Sequence, residues 1–180
     1  MQPRNGTYSD PDIAGGGQIY AQVCHVAAYL GFITGATPSE VFARFHNDGE
    51  AVDIYDVINL KMSDSSVVSI ASTGATSTIR RDYEIRLYDT DGMLFLDLWA
   101  GHMEFVPMSG EPVRYAGLSP NEIYPEKAPA WNLIDSILDP TRNLAPATLG
   151  QNAMEVVECA CRSAKTGSNV CVPSRRFGAI

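Results

Sequence analysis

The feature that most restricts the fold of this chain is a series of strand-like segments with little sequence between them. Residues 40–46 alternate apolar and polar side chains and end at Asn47-Asp48-Gly49, a turn signal. Three further strand-like runs follow at residues 53–62, 66–73 and 82–88. Because a parallel crossover needs about a dozen residues or more, strands this close in sequence must pair mainly antiparallel.

Other elements extend this series. Asp91-Gly92 separates two short apolar runs and predicts a hairpin. The remaining predicted elements are edge strands at 104–106 and 113–115, helices at 131–138 and 149–164 that end near Pro140 and Gly167, and a last strand at 170–172. With a helix near the start, they predict an α+β fold: a two-layer sandwich with a largely antiparallel sheet and helices on one face. One domain is expected at residues 15–173, after an irregular lead-in (1–14) and before a tail (174–180).

Charge and composition exclude several classes of protein. The formal net charge is −8, whereas phosphate binding requires a concentrated basic face, so no nucleic-acid partner is expected. Arg80-Arg81 and Arg175-Arg176 are the only basic doublets, and we predict that they are solvated surface. No apolar run approaches the roughly 20 residues that cross a bilayer, so no membrane partner is expected.

Cysteine use and the first residues indicate a cytoplasmic protein. The first five residues are polar and lack the apolar core of a signal peptide. The chain has 4 cysteines: Cys24, Cys159, Cys161 and Cys171. Cys159 and Cys161 are two apart on a predicted helix and point to different faces, so they cannot chelate one metal together. We interpret all four as buried small hydrophobes rather than metal ligands or disulfide partners.

The first helix has an apolar stripe that begins after Gly15-Gly16-Gly17. Its apolar positions recur at spacings of three and four, and Gly35 is the predicted stop. The predicted stripe consists of Ile19, Val23, Val26, Leu30 and Ile33.

A second stripe on this helix carries hydrogen-bonding groups. At about 100° per residue, Gln18, Gln22, His25 and Tyr29 lie in a narrow arc beside the apolar stripe. The segment from Gln18 to Ala36 contains no Lys, Arg, Asp or Glu, which is unusual for a surface helix. Neutral polar groups beside a core indicate the floor of a shielded pocket that recognises hydroxyls. Of the four, His25 exchanges a proton near neutral pH.

A simpler interpretation of this segment remains open. A single histidine on a half-buried helix is more often a hydrogen-bonded core residue than a catalytic group. Gly15-Gly16-Gly17 is equally consistent with a flexible helix entry, because it lacks a preceding apolar strand and the glycine spacing of a dinucleotide-binding turn.

Several motifs, taken in order, resemble the glucose–fructose oxidoreductase / inositol dehydrogenase / rhizopine catabolism (Gfo/Idh/MocA) family. The three glycines, the helix to His25, Gly35 and Glu40-Val41-Phe42-Ala43 come first. The later matches are Ser69-Ile70-Ala71-Ser72-Thr73-Gly74, the hairpin around Asp91-Gly92, and residues 155–172 with Ser163-Ala164-Lys165-Thr166-Gly167. Each motif is loose alone, whereas their order is specific.

The resemblance implies a glyceraldehyde-3-phosphate dehydrogenase-like C-terminal domain. Members of the family are two-domain enzymes whose N-terminal Rossmann domain binds NAD or NADP. The C-terminal domain supplies substrate contacts and usually an oligomer interface made by its sheet. By this resemblance His25 matches a histidine that acts at the substrate hydroxyl, and Gln18 and Gln22 replace part of the usual substrate hydrogen bonding.

The sequence departs from the family pattern in three places. Ala21 stands where many members have an Asp four residues before the His, which puts the usual proton relay in doubt. No strand–Gly-x-Gly-x-x-Gly–helix unit is present, so no cofactor is expected to bind this chain. Glu126-Lys127-Ala128-Pro129 imitates the family's Glu-Lys-Pro motif, but we predict that it is a non-catalytic loop.

These observations favour the substrate-side domain of an NAD(P)-dependent oxidoreductase that acts on a sugar, cyclitol or related polyol. Alone it should be inactive, because hydride transfer needs cofactor and substrate aligned. The catalytic residue would be His25, with Gln18, Gln22 and Tyr29 binding substrate. A stand-alone sugar-binding or oligomerisation module and a sugar transformation without net oxidation are the alternatives. A homodimer or larger oligomer is expected through the uncovered sheet face.

Overall fold

The computed structural model describes residues 9–76 and 82–173. Both arginine doublets, residues 1–8 of the predicted lead-in and the predicted tail at 174–180 lie outside these residues. In chain order the elements are α1 (Pro11–Ala14), a π-helical turn (Ile19–Val23), α2 (Cys24–Thr34), β1 (Pro38–His46), β2 (Tyr55–Met62), β3 (Val67–Thr73), β4 (Glu84–Asp89), β5 (Gly92–Asp97), β6 (His102–Pro107), β7 (Val113–Arg114), α3 (Pro120–Ile123), α4 (Ala128–Leu138), a 3₁₀ turn (Pro140–Arg142), α5 (Ala147–Thr166) and β8 (Val170–Cys171).

The described chain divides into two compact units, each built on its own sheet. The first unit contains the described residues up to Ala75 and from Ala145 onward, and the second those from Thr76 to Leu144. The strand orders are β3-β2-β1-β8 and β4-β5-β6-β7, and neighbouring strands in both sheets pair antiparallel. The predicted α+β fold with antiparallel strands is confirmed, and the structure adds that the strands are shared between two sheets.

The core of the first unit lies between one face of its sheet and two helices. In β2 the buried positions alternate, from Asp56 through Ile58 and Leu60 to Met62, while Val57 faces the other side. The buried cluster joins Ile58, Leu60 and Met62 to residues of α2 and α5. Helices therefore cover one face of this sheet, as the alternation of β2 and the helical stripes predict.

The buried stripe of the first helix differs from the predicted one at its end. Ile19, Val23 and Leu30 are buried, but Ile33 is 38% exposed and its predicted place in the core is wrong. Ile33 lies in the last turn of α2, beyond Leu30, which is the last buried residue of that helix. Ala27 occupies a buried position that the predicted stripe did not include.

The second unit contains the predicted hairpin and a helix with many exposed apolar side chains. Asp89 pairs with Gly92, so β4 and β5 are joined by a tight turn, as Asp91-Gly92 predicts. Helix α4 begins at Ala128, so the predicted loop at 126–129 holds only for Glu126 and Lys127, which form a turn. Proline is well tolerated in the first helical turn, and Pro129 therefore does not prevent this start. The large exposed side chains of α4 are Trp131, Leu133, Ile134, Ile137 and Leu138.

The end of α5 is attached to the sheet through one buried hydroxyl. Ser163 is 0% exposed; its hydroxyl donates to the carbonyl of Ser168 at 2.6 Å and accepts from the N–H of Ala43 at 2.9 Å. Gly167 ends the helix in the left-handed conformation, φ 71°, as its place in the sequence predicts. The Ser-x-x-x-Gly ending thus fixes α5 against β1.

Two smaller predictions need correction. Cys24, Cys159, Cys161 and Cys171 are free thiols, but Cys171 is exposed, so its predicted burial is wrong. It faces outward on a two-residue strand next to Glu40, at the margin of the sheet where nothing covers it among the described residues. Pro11–Ala14 form one helical turn within the segment expected to be irregular, capped by the side chain of Asp10. None of the helices in the described residues is long and apolar enough to cross a membrane.

Candidate functional site

The glycine-rich entry of the first helix is held by a single residue from the loop before β2. The carboxylate of Asp53 accepts from the N–H of Gly17 at 2.9 Å and from the N–H of Ile19 at 2.7 Å. The carbonyl of Asp53 accepts from the N–H of Gln18 at 3.0 Å. Three amide groups that a helix start leaves without intrahelical partners are therefore satisfied.

These contacts explain the third glycine and limit what the turn can bind. A Cβ atom at Gly17 would collide with the backbone of Asp53, so only glycine fits at this approach. The amide groups of Gly17, Gln18 and Ile19 are already occupied by Asp53. The turn therefore does not fit a pyrophosphate group, which needs such amides free.

A π-helical turn carries the first of the predicted site residues into α2. The N–H of Cys24 donates to the carbonyl of Ile19, five residues earlier, and the thiol of Cys24 donates to the carbonyl of Tyr20 at 2.8 Å. Gln22 lies within this turn. Single π-helical turns are rare and occur frequently at functional sites.

The four predicted site residues are all at least partly exposed to solvent. Gln18 is half-buried, Gln22 and His25 are exposed, and Tyr29 is 41% exposed. The last three are spaced by three and four residues and so lie one above another. Ala21, which stands in the position of the family's Asp, is half-buried. The helix therefore presents an amide, an imidazole and a phenol together on a side that the core does not cover.

Gln22, His25 and Tyr29 line neither of the two main clefts in the described residues of the first unit. The two clefts that stand out in the described residues have volumes of about 380 Å³ and 570 Å³. The smaller lies on the open face of the sheet, and the larger lies beside the glycine turn. The shielded pocket predicted around Gln22 and His25 is neither of these two clefts, and it stays a prediction.

The larger cleft contains a group of ionisable side chains that the sequence analysis missed. The hydroxyl of Tyr20 donates to Oε1 of Glu158 at 3.1 Å. Burial, then the nearby Cys161 and Glu158, raises the pKa of Tyr20 to about 12, and burial raises the pKa of Cys161 to about 11. Both groups are neutral near pH 7, so neither acts as a nucleophile there.

Asp53 and Asp56 are two residues of this region whose contacts or burial the sequence analysis did not identify. A signal was present for Asp56: it belongs to the alternating set that continues with Ile58 and Leu60, which places a carboxyl group on the buried face of a strand. Nothing in the sequence pairs Asp53 with Gly17, which is 36 residues away. In the described residues, no group of three or more His, Cys, Asp or Glu side chains is arranged to hold a metal ion.

Comparison with known proteins identifies the family. The sequence model of the GFO/IDH/MocA C-terminal domain matches residues 1–95, more than half of the 180-residue chain. The chain belongs to this family. No curated protein sequence is significantly similar to it.

Solved structures of several oxidoreductases have the same fold as this chain. An aldose-aldose oxidoreductase from Caulobacter crescentus, complexed with glycerol, has a TM-score of 0.80 at 18% identity over 95% of this chain and 52% of its own. A levoglucosan dehydrogenase complexed with NADH and levoglucosan has a TM-score of 0.78 at 17% identity, over 96% of this chain and 54% of its own. An oxidoreductase domain protein from Kribbella flavida has a TM-score of 0.77 at 17% identity, over 94% of this chain and 53% of its own.

The chain is a domain of an oxidoreductase family some of whose similar structures hold NAD or NADH. It spans about half the length of those solved structures. At identities of 17–18%, the likeness to these structures establishes the common fold.

Proposed function

We propose that this chain is the substrate-side domain of an NAD(P)-dependent oxidoreductase that acts on a sugar, cyclitol or related polyol. The observation that supports it is the row of Gln22, His25 and Tyr29 on the uncovered side of a helix whose entry is fixed by Asp53. Amide, imidazole and phenol groups are suited to hydroxyl recognition, since each donates or accepts hydrogen bonds without carrying a fixed charge.

The imidazole of His25 has the catalytic role in this proposal. Oxidation of a secondary alcohol releases the hydroxyl proton, and a neutral imidazole accepts such a proton near pH 7. The amide of Gln22 binds a hydroxyl but cannot act as a base, and Ala21 offers no carboxylate. His25 therefore carries any proton transfer from this domain, while Gln18, Gln22 and Tyr29 orient the substrate.

The hydride step is assigned to a part of the enzyme outside this chain. The amides of the glycine turn are bound to Asp53, so the turn is not a site for NAD or NADP. A dinucleotide-binding domain would supply both the cofactor and the second wall over His25. The 180 residues alone are accordingly inactive in this proposal, because alignment of hydride donor and acceptor is lost.

Two further properties belong to the proposal. The open face of the first sheet, which includes Val57 and Asn59, forms a homodimer or larger assembly. The protein works in the cytoplasm, which agrees with four cysteines that are all unpaired.

The test uses the protein encoded by the complete reading frame and a panel of aldoses, cyclitols and acyclic polyols with NAD⁺ and NADP⁺. We expect His25→Ala to lower kcat by about 10²–10⁴-fold, the range for loss of a general base. His46→Ala is the matched control, because His46 is an exposed histidine of the same unit, and its kcat should stay within a few-fold of the parent. Turnover of His25→Ala within a few-fold of the parent would show that the assigned role is wrong.

A stand-alone sugar-binding module is the second candidate, favoured by the glycine turn that cannot hold a cofactor. Here the 180-residue chain itself would bind sugars or polyols, and calorimetry would detect heat that Gln22→Ala abolishes. If the isolated chain binds no sugar and the longer protein reduces the cofactor, the oxidoreductase is the correct function.

A further inference from the structure

Asp56 is a buried carboxyl group that receives no hydrogen bond from any described residue. It is 1% exposed, and neither carboxyl oxygen has a donor. On the sheet it lies between Phe45 of β1 and Ser72 of β3, on the face that packs against the helices. An ionised carboxylate without a partner in such a place would be very costly, so the group must be neutral or share a proton.

The carboxyl group of Asp53 is the ionisable neighbour that hydrogen-bonds to Asp56 and repels a negative charge there. Two carboxyl groups form a hydrogen bond only when one of them carries a proton. Asp53 already accepts from the N–H groups of Gly17 and Ile19, which stabilise a negative charge there. The proton therefore belongs on Asp56, with Asp53 as the acceptor.

The other ionisable groups around the pair do not neutralise an ionised Asp56. From α5 the groups are Glu158, Cys161 and Lys165, from the helix entry the group is Tyr20, and from the end of β1 it is His46. Glu158 is acidic, Tyr20 and Cys161 are neutral, and in the described residues no ion pair joins Lys165 or His46 to either aspartate. Burial, then the charge of Asp53 and the hydrogen bond to it, raises the pKa of Asp56 to about 8.

We propose that Asp56 is a neutral acid that donates its proton to Asp53, and that this shared proton locks the glycine turn from which the helix of Gln18, Gln22 and His25 begins. Loss of the proton places two negative charges side by side next to the amides of Gly17 and Ile19. The turn is then held less firmly. Both aspartates are positioning residues, since neither lies on the side of the helix that carries His25.

The lock has a defined pH dependence. In the unfolded chain Asp56 ionises near pH 4, whereas in the folded protein it does so near pH 8. Between these values the folded state holds one more proton, so stability falls as the pH rises. Asp56 alone increases the unfolding constant by about tenfold per pH unit in this window, and above about pH 8 its contribution is constant.

The direct test is a pH titration of this chain by ¹³C NMR with labelled aspartate carboxyl groups, assigned through the backbone. We expect the carboxyl carbon of Asp56 to titrate above pH 6, and the amide signals of Gly17 and Ile19 to shift with the same midpoint. A carboxyl midpoint below pH 6 overturns the proposal. Amide signals of Gly17 and Ile19 that do not follow the midpoint of Asp56 overturn the lock.

Variants supply an independent measurement. In Asp56→Asn an amide that does not titrate replaces the neutral acid. The unfolding constant measured in urea should therefore lose the tenfold rise per pH unit that Asp56 contributes between pH 4 and 8. Asp48→Asn is the matched control, because Asp48 is exposed in the same unit at φ 52°, a conformation that asparagine adopts readily; it should keep the parent's slope. If the unfolding constant of Asp56→Asn changes with pH as steeply as that of the parent, the proposal is contradicted. If Asp56→Asn does not fold, the NMR titration of the parent decides. No step involves substrate or cofactor, so this result is separate from that for the proposed function.

Discussion

The backbone of Asp53 occupies the space that a side chain at Gly17 would need. The same residue accepts hydrogen bonds from Gly17 through its carboxylate and from Gln18 through its carbonyl. One loop residue therefore fixes both the start of the site helix and the identity of its third glycine.

Gly17→Ala should consequently destabilise the protein. The nearest atoms to the new Cβ belong to the backbone of Asp53, which cannot rotate away as a side chain would. We expect a loss of about 3 kcal/mol in the free energy of unfolding, the upper end of overpacking costs. Chemical denaturation measures this.

Gly150→Ala is the control for that variant. Gly150 lies within α5, and a Cβ there meets no atom within 4 Å. Alanine in a helix is more favourable than glycine by about 1 kcal/mol, so this variant should be more stable than the parent. If both variants change stability equally and in the same direction, the collision with Asp53 is not the cause.

The local patterns of the sequence predict the elements well because short-range chemistry determines them. Alternation along β2 and the left-handed glycine at the end of α5 follow from the positions of Ile58, Leu60 and Gly167 alone. The division of the strands into two sheets is a property of long-range packing, and no residue between β3 and β4 marks it in the sequence.

The candidate site could be predicted only in part. The row of Gln22, His25 and Tyr29 follows from spacings of three and four residues, whereas the π-helical turn that contains Gln22 was not predicted. The role of Asp53 could not be predicted, because its partner Gly17 is distant in sequence. The burial of Asp56 could have been inferred, since it occupies a core position of an alternating strand.

Ser163→Ala should weaken the attachment of α5 to the sheet. The variant removes the acceptor of the buried Ala43 N–H and the donor to the carbonyl of Ser168. A buried polar group left without its partner costs about 1–3 kcal/mol, and we expect a decrease in the free energy of unfolding in that range. Thr166→Ala, at an exposed position of the same helix, should stay within about 0.5 kcal/mol. If Ser163→Ala and Thr166→Ala lower the stability equally, the loss reflects helix propensity and not the hydrogen bonds of the Ser163 hydroxyl.

Val57→Glu tests the proposed assembly through the open sheet face. Val57 is 48% exposed and lies opposite Arg44 of β1, so a glutamate is tolerated in the monomer but places a charge inside an interface. Light scattering at about 10 μM should show an oligomer for the parent and a smaller species for the variant. Met154→Glu, at a 40% exposed position of α5, should leave the assembly unchanged. A monomeric parent would contradict the assembly itself.

The four thiols should differ in their reactivity toward iodoacetamide, because only the thiolate reacts. Burial raises the pKa of Cys24 and Cys159, and burial and then Glu158 raise that of Cys161 to about 11. At pH 8 a thiol with this pKa is about 0.1% thiolate, whereas Cys171 is exposed. Mass spectrometry of tryptic peptides should therefore find Cys171 alkylated first, and the rate at Cys161 should rise about tenfold per pH unit up to about pH 11. Unfolding in guanidinium should bring the four rates together. Alkylation of Cys161 as fast as Cys171 at pH 8 in the folded protein would mean that the cleft beside Tyr20 is open to water.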